Sequence, residues 1–572
     1  MCGIVGYTGE DDITTALGRG LEKLEYRGYD SAGVALAESG GLRVIRSVGR
    51  VAKLEEKLRG VVTDARCGIG HTRWATHGSP TEINCHPHLS FGRRFAVVHN
   101  GVIENCRKLR ELCEDRGISP VSDTDSELIA HLLELFFDGD VISAVRRTAE
   151  MLEGSFAVAA LHAGEPDVIY AFRRSSPLII GVSPGRCGVA SDGCAAEGDT
   201  LLLGDGQYAR ISPAGARVWE NGKRVSPGRI SGFAVGSHGT AGYAHYMMKE
   251  IAEQPGAAAR TIESLSRRRL SGSLAFIGCG SSYNAALSVL PLAEHSARRG
   301  ASAFTAGEFL LTEKLSGRGR TAVAISQSGE TADTVAAARE AAARGWSLLA
   351  VANVPRSSLT RVCRRCALTQ AGPEISVATT KGFTSQVAAL AAMLARGALR
   401  DEVRRLPAAI EKALAAEADA ETAAELFAPD KAAFFIGRRA DVGAALEGAL
   451  KLREITYIPA IGLAAGELKH GSIALIEEGT PVVLVHTDPA LKDKTLLTAA
   501  TVKARGGRVI AVTHDDEVAA AADLALRIPD VPHLISPAVS VVPMQLLAYH
   551  AALRLARDID KPRNLAKSVT VE

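Results

Sequence analysis

Beyond residue 250 the chain writes one pattern twice. "FIG" at Phe276–Gly278 is answered by "FIG" at Phe435–Gly437, "AVAIS" by "PVVLV", and "ARGWSLLAVAN" by "ARGGRVIAVTH". Each apolar run has the length of a buried strand and leads through a short loop into an Ala-rich helical stretch, as in "TAVAISQSGETADTVAAAREAAARG". Successive strand–loop–helix units return to their sheet by right-handed crossovers, so two tandem α/β units with parallel sheets are expected. Ligands are expected at the carboxyl ends of the strands.

The first 230 residues have a different texture. β-branched runs such as "CGIVGY", "SAGVALAE", "CGIGHTRWATHG" and "RFAVVHNGVI" alternate with Gly-rich turns, and helical runs such as "DSELIAHLLELFF" interrupt them. The expected architecture is a sheet-on-sheet core flanked by helices. A Gly- and Ser-rich stretch near 225–245 has neither period and reads as a linker. The expected organisation is therefore a first domain over 2–232, a linker over 233–248, α/β domains over 249–415 and 416–557, and a tail over 558–572. With 572 residues, several cores are needed. The aperiodic tail "DIDKPRNLAKSVTVE" reads by itself as frayed.

Opposite charges nearly cancel at +2, which removes the global field that nucleic acid or an anionic membrane would need; a phosphorylated metabolite can still be held locally. No apolar stretch reaches a membrane span, and Glu10, Asp11 and Asp12 arrive too early for a secretory signal. Ten scattered cysteines fit a reducing compartment, hence the cytoplasm. Cys363 and Cys366 have CxxC spacing without a second pair and read as incidental thiols on a helix. In "CHPH", Cys85, His86 and His88 flank a proline in a loop that fixes no ligand geometry, so no metal is expected.

Cys2 follows the initiator methionine. With Met1 removed it carries both a thiol and an α-amine whose pKa near 8 suits a general base. Hydrolysing a side-chain amide also needs an oxyanion hole, and Asn100 and Gly101 offer a side-chain amide and an unencumbered backbone N–H. Free glutamine needs a cation for its carboxylate and an anion for its ammonium; Arg73 and Asp125 have the right charges. "EYRGYDSAG", "HTRWATHG", "VVHNGVIEN" and "SDTDSE" occur in that order behind the terminal Cys. Together they resemble the glutaminase domain of the N-terminal-nucleophile amidotransferases, an αββα sandwich. The resemblance implies glutamine binding by Arg73, Thr76, His77, Gly101 and Asp125, an oxyanion held by Asn100 and Gly101, and Trp74 in a mobile loop that covers glutamine and gates ammonia. Arg27 in "YRGYD" reads equally well as a site residue or as half of a structural ion pair.

"GCGSSYNA" and "SQSGETADT" each follow an expected strand and open an expected helix, where backbone N–H groups, hydroxyls and the helix dipole favour a phosphate. The spacing is neither Walker A nor G-x-G-x-x-G, which disfavours a nucleotide. These motifs resemble the sugar isomerase (SIS) domain, and the resemblance places a sugar phosphate on Ser281, Ser282, Ser326, Gln327, Ser328 and Thr331. In "LEGALKLREITYI", Glu447, Lys451 and Glu454 lie at i, i+4 and i+7 on one helix face, which by spacing alone is also a salt-bridge ladder.

His470 in "AAGELKHGSIAL" and Lys567 in the tail complete a resemblance, covering essentially the whole chain, to the isomerizing amidotransferases that aminate a ketose phosphate. That resemblance implies glutamine and fructose 6-phosphate as substrates, the first step of hexosamine biosynthesis, a homodimer, ammonia channelled between sites, and no metal or organic cofactor. Lys567 would form a Schiff base at C2, Glu454 would move a proton between C1 and C2, and His470 from the neighbouring subunit would open the ring. Lys451 and Glu447 would assist, and Val377 and Ala566 would lend backbone contacts. The chain departs from the family pattern at Ser281, Ser376 and Ile461, which leaves a related ketose phosphate as the alternative acceptor. A non-catalytic sugar-phosphate sensor is the other reading, but it would not need Cys2, Glu454 and Lys567 together.

Overall fold

The computed structural model describes residues 2–74, 78–230, 239–296, 300–312, 319–355 and 357–569. The chain divides into two compact units, Met1–His238 with Ser568–Val571, and Gly239–Lys567 with Glu572.

In the first unit, alternation along the strands builds the layers. The strand Gly3–Thr8 turns Ile4 into one hydrophobic cluster and Val5 and Tyr7 into another; Phe95–Ile103 divides Ala96 and Val98 from Phe95 and Val97 in the same way. One cluster lies between an eight-stranded and a seven-stranded sheet, both antiparallel, and joins Ile4 and Ile69 to Val98, Ala157 and Ile169. The outer faces are covered by helices, Ile13–Leu24 and Val51–Leu58 on the first sheet, and Cys106–Asp115, Ser126–Leu135 and Val141–Met151 on the second. The result is the expected αββα sandwich. Gly3 pairs with Thr72 across neighbouring strands, so Cys2 meets the Arg73 end of Cys67–Arg73.

The second unit holds two five-stranded parallel sheets with identical strand order. In the first the order is Ala301–Thr305, Ser273–Gly278, Arg320–Ser326, Ser347–Ala352, Cys366–Leu368; in the second it is Ala460–Ala464, Ala433–Gly437, Pro481–His486, Arg508–Thr513, Leu524–Arg527. In both, the order reverses beside the first strand, which puts a crevice outside the carboxyl ends there. A single core runs through both copies, from Phe276 and Val323 to Phe435 and Val483, by way of the buried helices Lys381–Leu394 and Pro537–Arg554.

The boundary expected at 415/416 falls where the helix Leu399–Ala413 passes through a 3-10 turn into Glu417–Ala424. Residues 233–238 of the expected linker lie outside the described residues, and the chain is helical again from Tyr246. The tail is not frayed through Lys567: Asp560 accepts the N–H groups of Tyr246 and Met247, and Arg563 lies over the Tyr457 ring. The "CRRC" thiols are not both on a helix, since Cys363 ends Ser358–Val362 and Cys366 opens a strand. All ten cysteines are free. Among the described residues no helix is long and apolar enough to cross a membrane.

The helix Asp441–Thr456 crosses Ser281–Ser296 at Gly443, where a Cβ would lie 2.5 Å from the Ser288 nitrogen and 2.7 Å from the Asn284 carbonyl oxygen. Backbone cannot yield cheaply there. Gly443→Ala is expected to cost about 1–3 kcal/mol, seen as a lower urea midpoint with an unchanged slope.

Candidate functional site

The thiol of Cys2 sits at the head of a central strand and accepts a hydrogen bond from the Trp74 N–H at 3.2 Å. Burial pushes the thiol up, opposed in part by the Trp74 N–H and the Arg73 charge. A thiol held protonated at neutral pH needs a base to become a nucleophile. Asn100 Nδ2 donates to the Cys2 carbonyl at 2.8 Å, and its Oδ1 faces His71 Nε2 at 3.0 Å. Burial holds the His71 imidazole down at about 3, so the ring is neutral. Its Nε2 also lies 2.9 Å from the His99 carbonyl; between two acceptors that nitrogen carries the proton, which fixes which way the Asn100 amide points.

Gly101 has φ +130°, and a Cβ would collide with the Ser155 carbonyl oxygen, so only glycine fits. Arg73 is buried and donates to the Gly78 carbonyl at 3.0 Å; Asp125 accepts the Ile103 N–H at 2.8 Å and the Ser126 hydroxyl at 3.2 Å. Both charges are felt at the Cys2 thiol. Thr76 and His77 lie outside the described residues. Arg27 is buried in an ion pair with Asp192 beside the Tyr26 hydroxyl, which gives it a structural partner. His86 stacks on His71 with ring centroids 4.0 Å apart, His88 meets Thr124 Oγ1 at 3.2 Å, and the Cys85 thiol meets the Thr81 carbonyl at 3.1 Å. Among the described residues no group of three His, Cys, Asp or Glu is arranged to hold a metal.

In the second unit, two loops at the carboxyl ends of the first sheet are preformed. Ser326 Oγ lies 2.9 Å from Thr331 Oγ1 and accepts the Gly329 N–H at 3.0 Å, while Ser328 Oγ accepts the Glu330 N–H at 3.2 Å. Ser282 Oγ accepts from Gln386 Nε2 at 3.1 Å, and Gln327 takes the Asn353 N–H on its carbonyl at 3.0 Å. Ser281 turns elsewhere: its hydroxyl donates to Glu447 Oε1 at 2.8 Å and lies 3.4 Å from Lys451 Nζ. The corresponding end of the second sheet carries Asp441 and Asp488 instead. Burial pushes the Asp441 carboxyl up to about 7 although Thr487 donates to it from both nitrogen and hydroxyl, and Asp488 is paired with Arg439 at 2.9 Å. Two carboxyls at that crevice oppose a phosphate, so the first copy alone carries the anion loops.

Glu447, Lys451 and Glu454 do share one helix face. Lys451 Nζ is fully buried, 3.3 Å from Glu447 and 2.6 Å from Glu454. Burial would discharge the amine, but the two carboxylates outweigh it and raise its pKa. Asn284 Nδ2 holds the other Glu447 oxygen at 2.9 Å. Burial raises the Glu454 carboxyl, with Lys451 and Lys567 opposing it, so the tail lysine stands within electrostatic reach of this acid. Lys567 Nζ is 2.6 Å from Glu374 Oε2 and 3.3 Å from Thr379 Oγ1.

Asn284, Glu374, Thr379 and Glu250 were not singled out from the sequence. Glu374 stands in "PEISVATTKGF", where a lone carboxylate ahead of an apolar helix was the available signal. The Val377 N–H is engaged by the Asp560 carbonyl at 3.0 Å. Ala566 is half-buried beside Lys567, and His470 lies exposed in a 3-10 turn, with no hydrogen bond or ion pair to Glu447, Lys451 or Glu454 among the described residues. Ile461 packs against the cluster of Phe434 and Ile436, and the Ser376 N–H points at Glu250.

Residues 269–396 and 426–555 each match the SIS domain family model, and residues 71–195 match that of a glutamine amidotransferase domain. Three relatives are each named glutamine--fructose-6-phosphate aminotransferase (isomerizing), and each alignment covers 100% of both chains. That of Symbiobacterium thermophilum is 42% identical, that of Thermococcus kodakarensis 40%, and that of Pseudomonas aeruginosa 42%. Among solved structures, the C-terminal domain of glucosamine-fructose-6-phosphate aminotransferase from Francisella tularensis is 33% identical. It matches with a TM-score of 0.53 over 57% of this chain and 100% of its own.

Glu250 yields a test in pH. Burial, then the Glu374 charge, push its carboxyl up to about 8, and its Oε2 has no hydrogen-bond partner. Between an unfolded value near 4.3 and the folded value, the folded state keeps a proton the unfolded state has lost, so this group's contribution falls as pH rises, by about 1.4 kcal/mol per unit at most. Glu250→Gln lacks that proton. Its urea stability relative to the parent is expected to rise steadily from pH 5 to 8 and then level; a pH-independent difference contradicts it.

Proposed function

Because the chain belongs to the family of isomerizing glutamine--fructose-6-phosphate aminotransferases, we propose the following division of labour over its two units. The protein transfers the amide nitrogen of glutamine to fructose 6-phosphate and isomerises the product, giving glucosamine 6-phosphate and glutamate.

In the first unit, Cys2, freed of Met1, attacks the side-chain amide while its own α-amine takes the thiol proton. Asn100 and Gly101 receive the oxyanion, and Arg73, Thr76, His77, Gly101 and Asp125 hold glutamine, with Trp74 over it. Ammonia leaves, and water cleaves the thioester to glutamate. The orientation imposed on Asn100 by neutral His71 supports this assignment, because it leaves Nδ2 aimed at Cys2.

In the second unit the loops Ser281–Ser282 and Ser326–Thr331 take the phosphate. Lys567 forms an imine at C2, ammonia reaching it by an internal channel displaces the lysine, and Glu454 carries a proton between C1 and C2 to give the aldose. Lys451 and Glu447 assist at the ring oxygen and orient His470, which a second subunit of a homodimer supplies. Val377 and Ala566 contribute backbone contacts. One observation carries this part: Glu454 sits 2.6 Å from the buried Lys451 ammonium, and burial raises its carboxyl against the charges of Lys451 and Lys567, which favours a group that both accepts and returns a proton. Fructose 6-phosphate as acceptor is supported by the position of Ile461, whose side chain belongs to the packing of the second sheet. A cytoplasmic location agrees with ten free cysteines.

The test is incubation with glutamine and fructose 6-phosphate and quantitation of glucosamine 6-phosphate and glutamate. Cys2→Ala is expected to abolish glutamate release while ketose-to-aldose isomerisation persists; loss of both in a folded variant contradicts separate sites. Intact mass should show the chain without Met1.

A further inference from the structure

One fully buried carboxylate, Glu374, has no part in the steps above. Its Oε1 accepts the N–H groups of Thr380 at 3.0 Å and Gly382 at 2.8 Å, at the start of the helix Lys381–Leu394. Those first-turn amides have no partners within the helix, so they fix the carboxylate before any ligand arrives. The remaining oxygen, Oε2, faces Lys567 Nζ at 2.6 Å, and Thr379 Oγ1 lies 3.3 Å from the same nitrogen. Gly382 leaves room for this: a Cβ there would lie 2.8 Å from Glu374 Oε2 and 3.0 Å from Gln327 Cγ. The same glycine therefore brings the anion loop up to the carboxylate.

A second carboxyl stands behind the first. Glu250 Oε1 accepts the N–H groups of Ile375 at 2.5 Å and Ser376 at 3.4 Å, so it is tied to the backbone next to Glu374 and makes no ion pair with Lys567 among the described residues. Burial keeps it protonated near neutrality. Lys381 is paired with Glu253 at 2.5 Å. Among the described residues Glu374 is thus the one carboxylate bonded to the tail lysine.

We propose that Glu374 is the positioning residue, counterion and proton partner of Lys567 during imine formation, an inference that rests on Lys567 being the imine-forming lysine. The charge balance supports it. The ammonium of Lys567 and the C2 carbonyl give a protonated imine and one water: the C=O bond breaks, a C=N bond forms, two of the three ammonium protons leave with the oxygen, and the third stays on nitrogen. The nitrogen is positive in the resting state and again in the imine; in between, one ammonium proton passes to Glu374 at 2.6 Å so that the nitrogen lone pair can attack C2, and it leaves with the oxygen as water departs. Ammonia then adds at C2, the bond from C2 to the lysine nitrogen breaks, and Lys567 departs as the neutral amine while the charge passes to the new imine. A carboxylate pinned at 2.6 Å stabilises the cation before attack and in the imine, takes up the proton between them, and directs the nitrogen toward one approach.

The experiment is borohydride trapping of the full-length protein with fructose 6-phosphate, read by peptide mass. The parent is expected to give one reduced sugar adduct, on Lys567; an adduct elsewhere or none removes the premise. Given that adduct, Glu374→Gln is expected to slow trapping by about 100-fold, the loss typical of removing one preorganised charge partner. The half-saturating sugar concentration should change by less than about threefold, because the phosphate loops are untouched. Glu374→Asp, which keeps the charge, should recover most of the rate. Unchanged trapping in Glu374→Gln overturns the proposal. So does a loss of rate that follows sugar affinity or melting temperature and is not recovered by Asp, since that is the signature of a purely structural carboxylate.

Discussion

The larger unit depends on the burial of one ammonium. Lys451 is fully enclosed, and an isolated ammonium in such a place would lose its proton. Glu447 and Glu454 prevent that from the same helix, and Ser281 and Asn284 fix Glu447 from a helix of the other repeat. Removing one partner of such a group leaves a bare buried charge and costs about 3–5 kcal/mol. The two repeats are therefore held in register by the same atoms that the chemistry uses. Gly443 makes the arrangement possible, because only a residue without Cβ lets the two helices approach at that crossing.

The glutaminase unit reaches the same end by another route. The groups proposed for its chemistry come from strand ends, whose positions are set by pairing register: Gly3 opposite Thr72 brings Cys2 to Arg73 and Trp74, and Asn100 opposite Ala157 keeps the proposed oxyanion amide on a central strand. A ring of histidines lies beneath. His71, His86 and His88 are held neutral chiefly by burial, with His99 and Arg73 adding at His71, His71 and His88 at His86, and Arg46 and Arg73 at His88, which makes all three weak bases. The base must come from elsewhere, which is the physical case for the α-amine of Cys2.

The tandem repeat was legible because period and turn chemistry are local properties, and both sheets appear with the same strand order. The loops before Ser281–Ser296 and Ala332–Ala343 were legible as helix starts for a related reason: Ser, Gly and Thr favour such turns and caps. What the sequence withheld were single carboxylates whose meaning is set by distant neighbours. Glu374 and Glu250 are far apart in the chain and close in space, and neither segment tells that the two meet; the lone carboxylate ahead of an apolar helix at Glu374 is the one local signal. Ser281, an expected phosphate ligand, also bonds its hydroxyl to Glu447, a contact that helix packing sets and loop composition does not reveal. Cys363 and Cys366 show the converse: a suggestive spacing straddles a helix end and a strand start, and the pair has no common face.

The two repeats share a topology but not a site, and the reason is electrostatic. At the carboxyl end of the first sheet, the loop Ser326–Thr331 presents hydroxyls and backbone N–H groups bonded among themselves, while the nearby carboxylates Glu447 and Glu374 are each tied to other partners. At the equivalent place in the second, Asp441 and Asp488 occupy the crevice, tied down by Thr487 and Arg439. The second copy instead contributes its first helix, Asp441–Thr456, whose inward face carries the acid and base groups to the first copy's phosphate loops. Duplication thus supplies one crevice and one helix bearing the groups proposed for catalysis, and the tail lysine is held by Glu374 at the mouth of the helix Lys381–Leu394. Each copy has kept a different half of what a complete sugar-phosphate site requires.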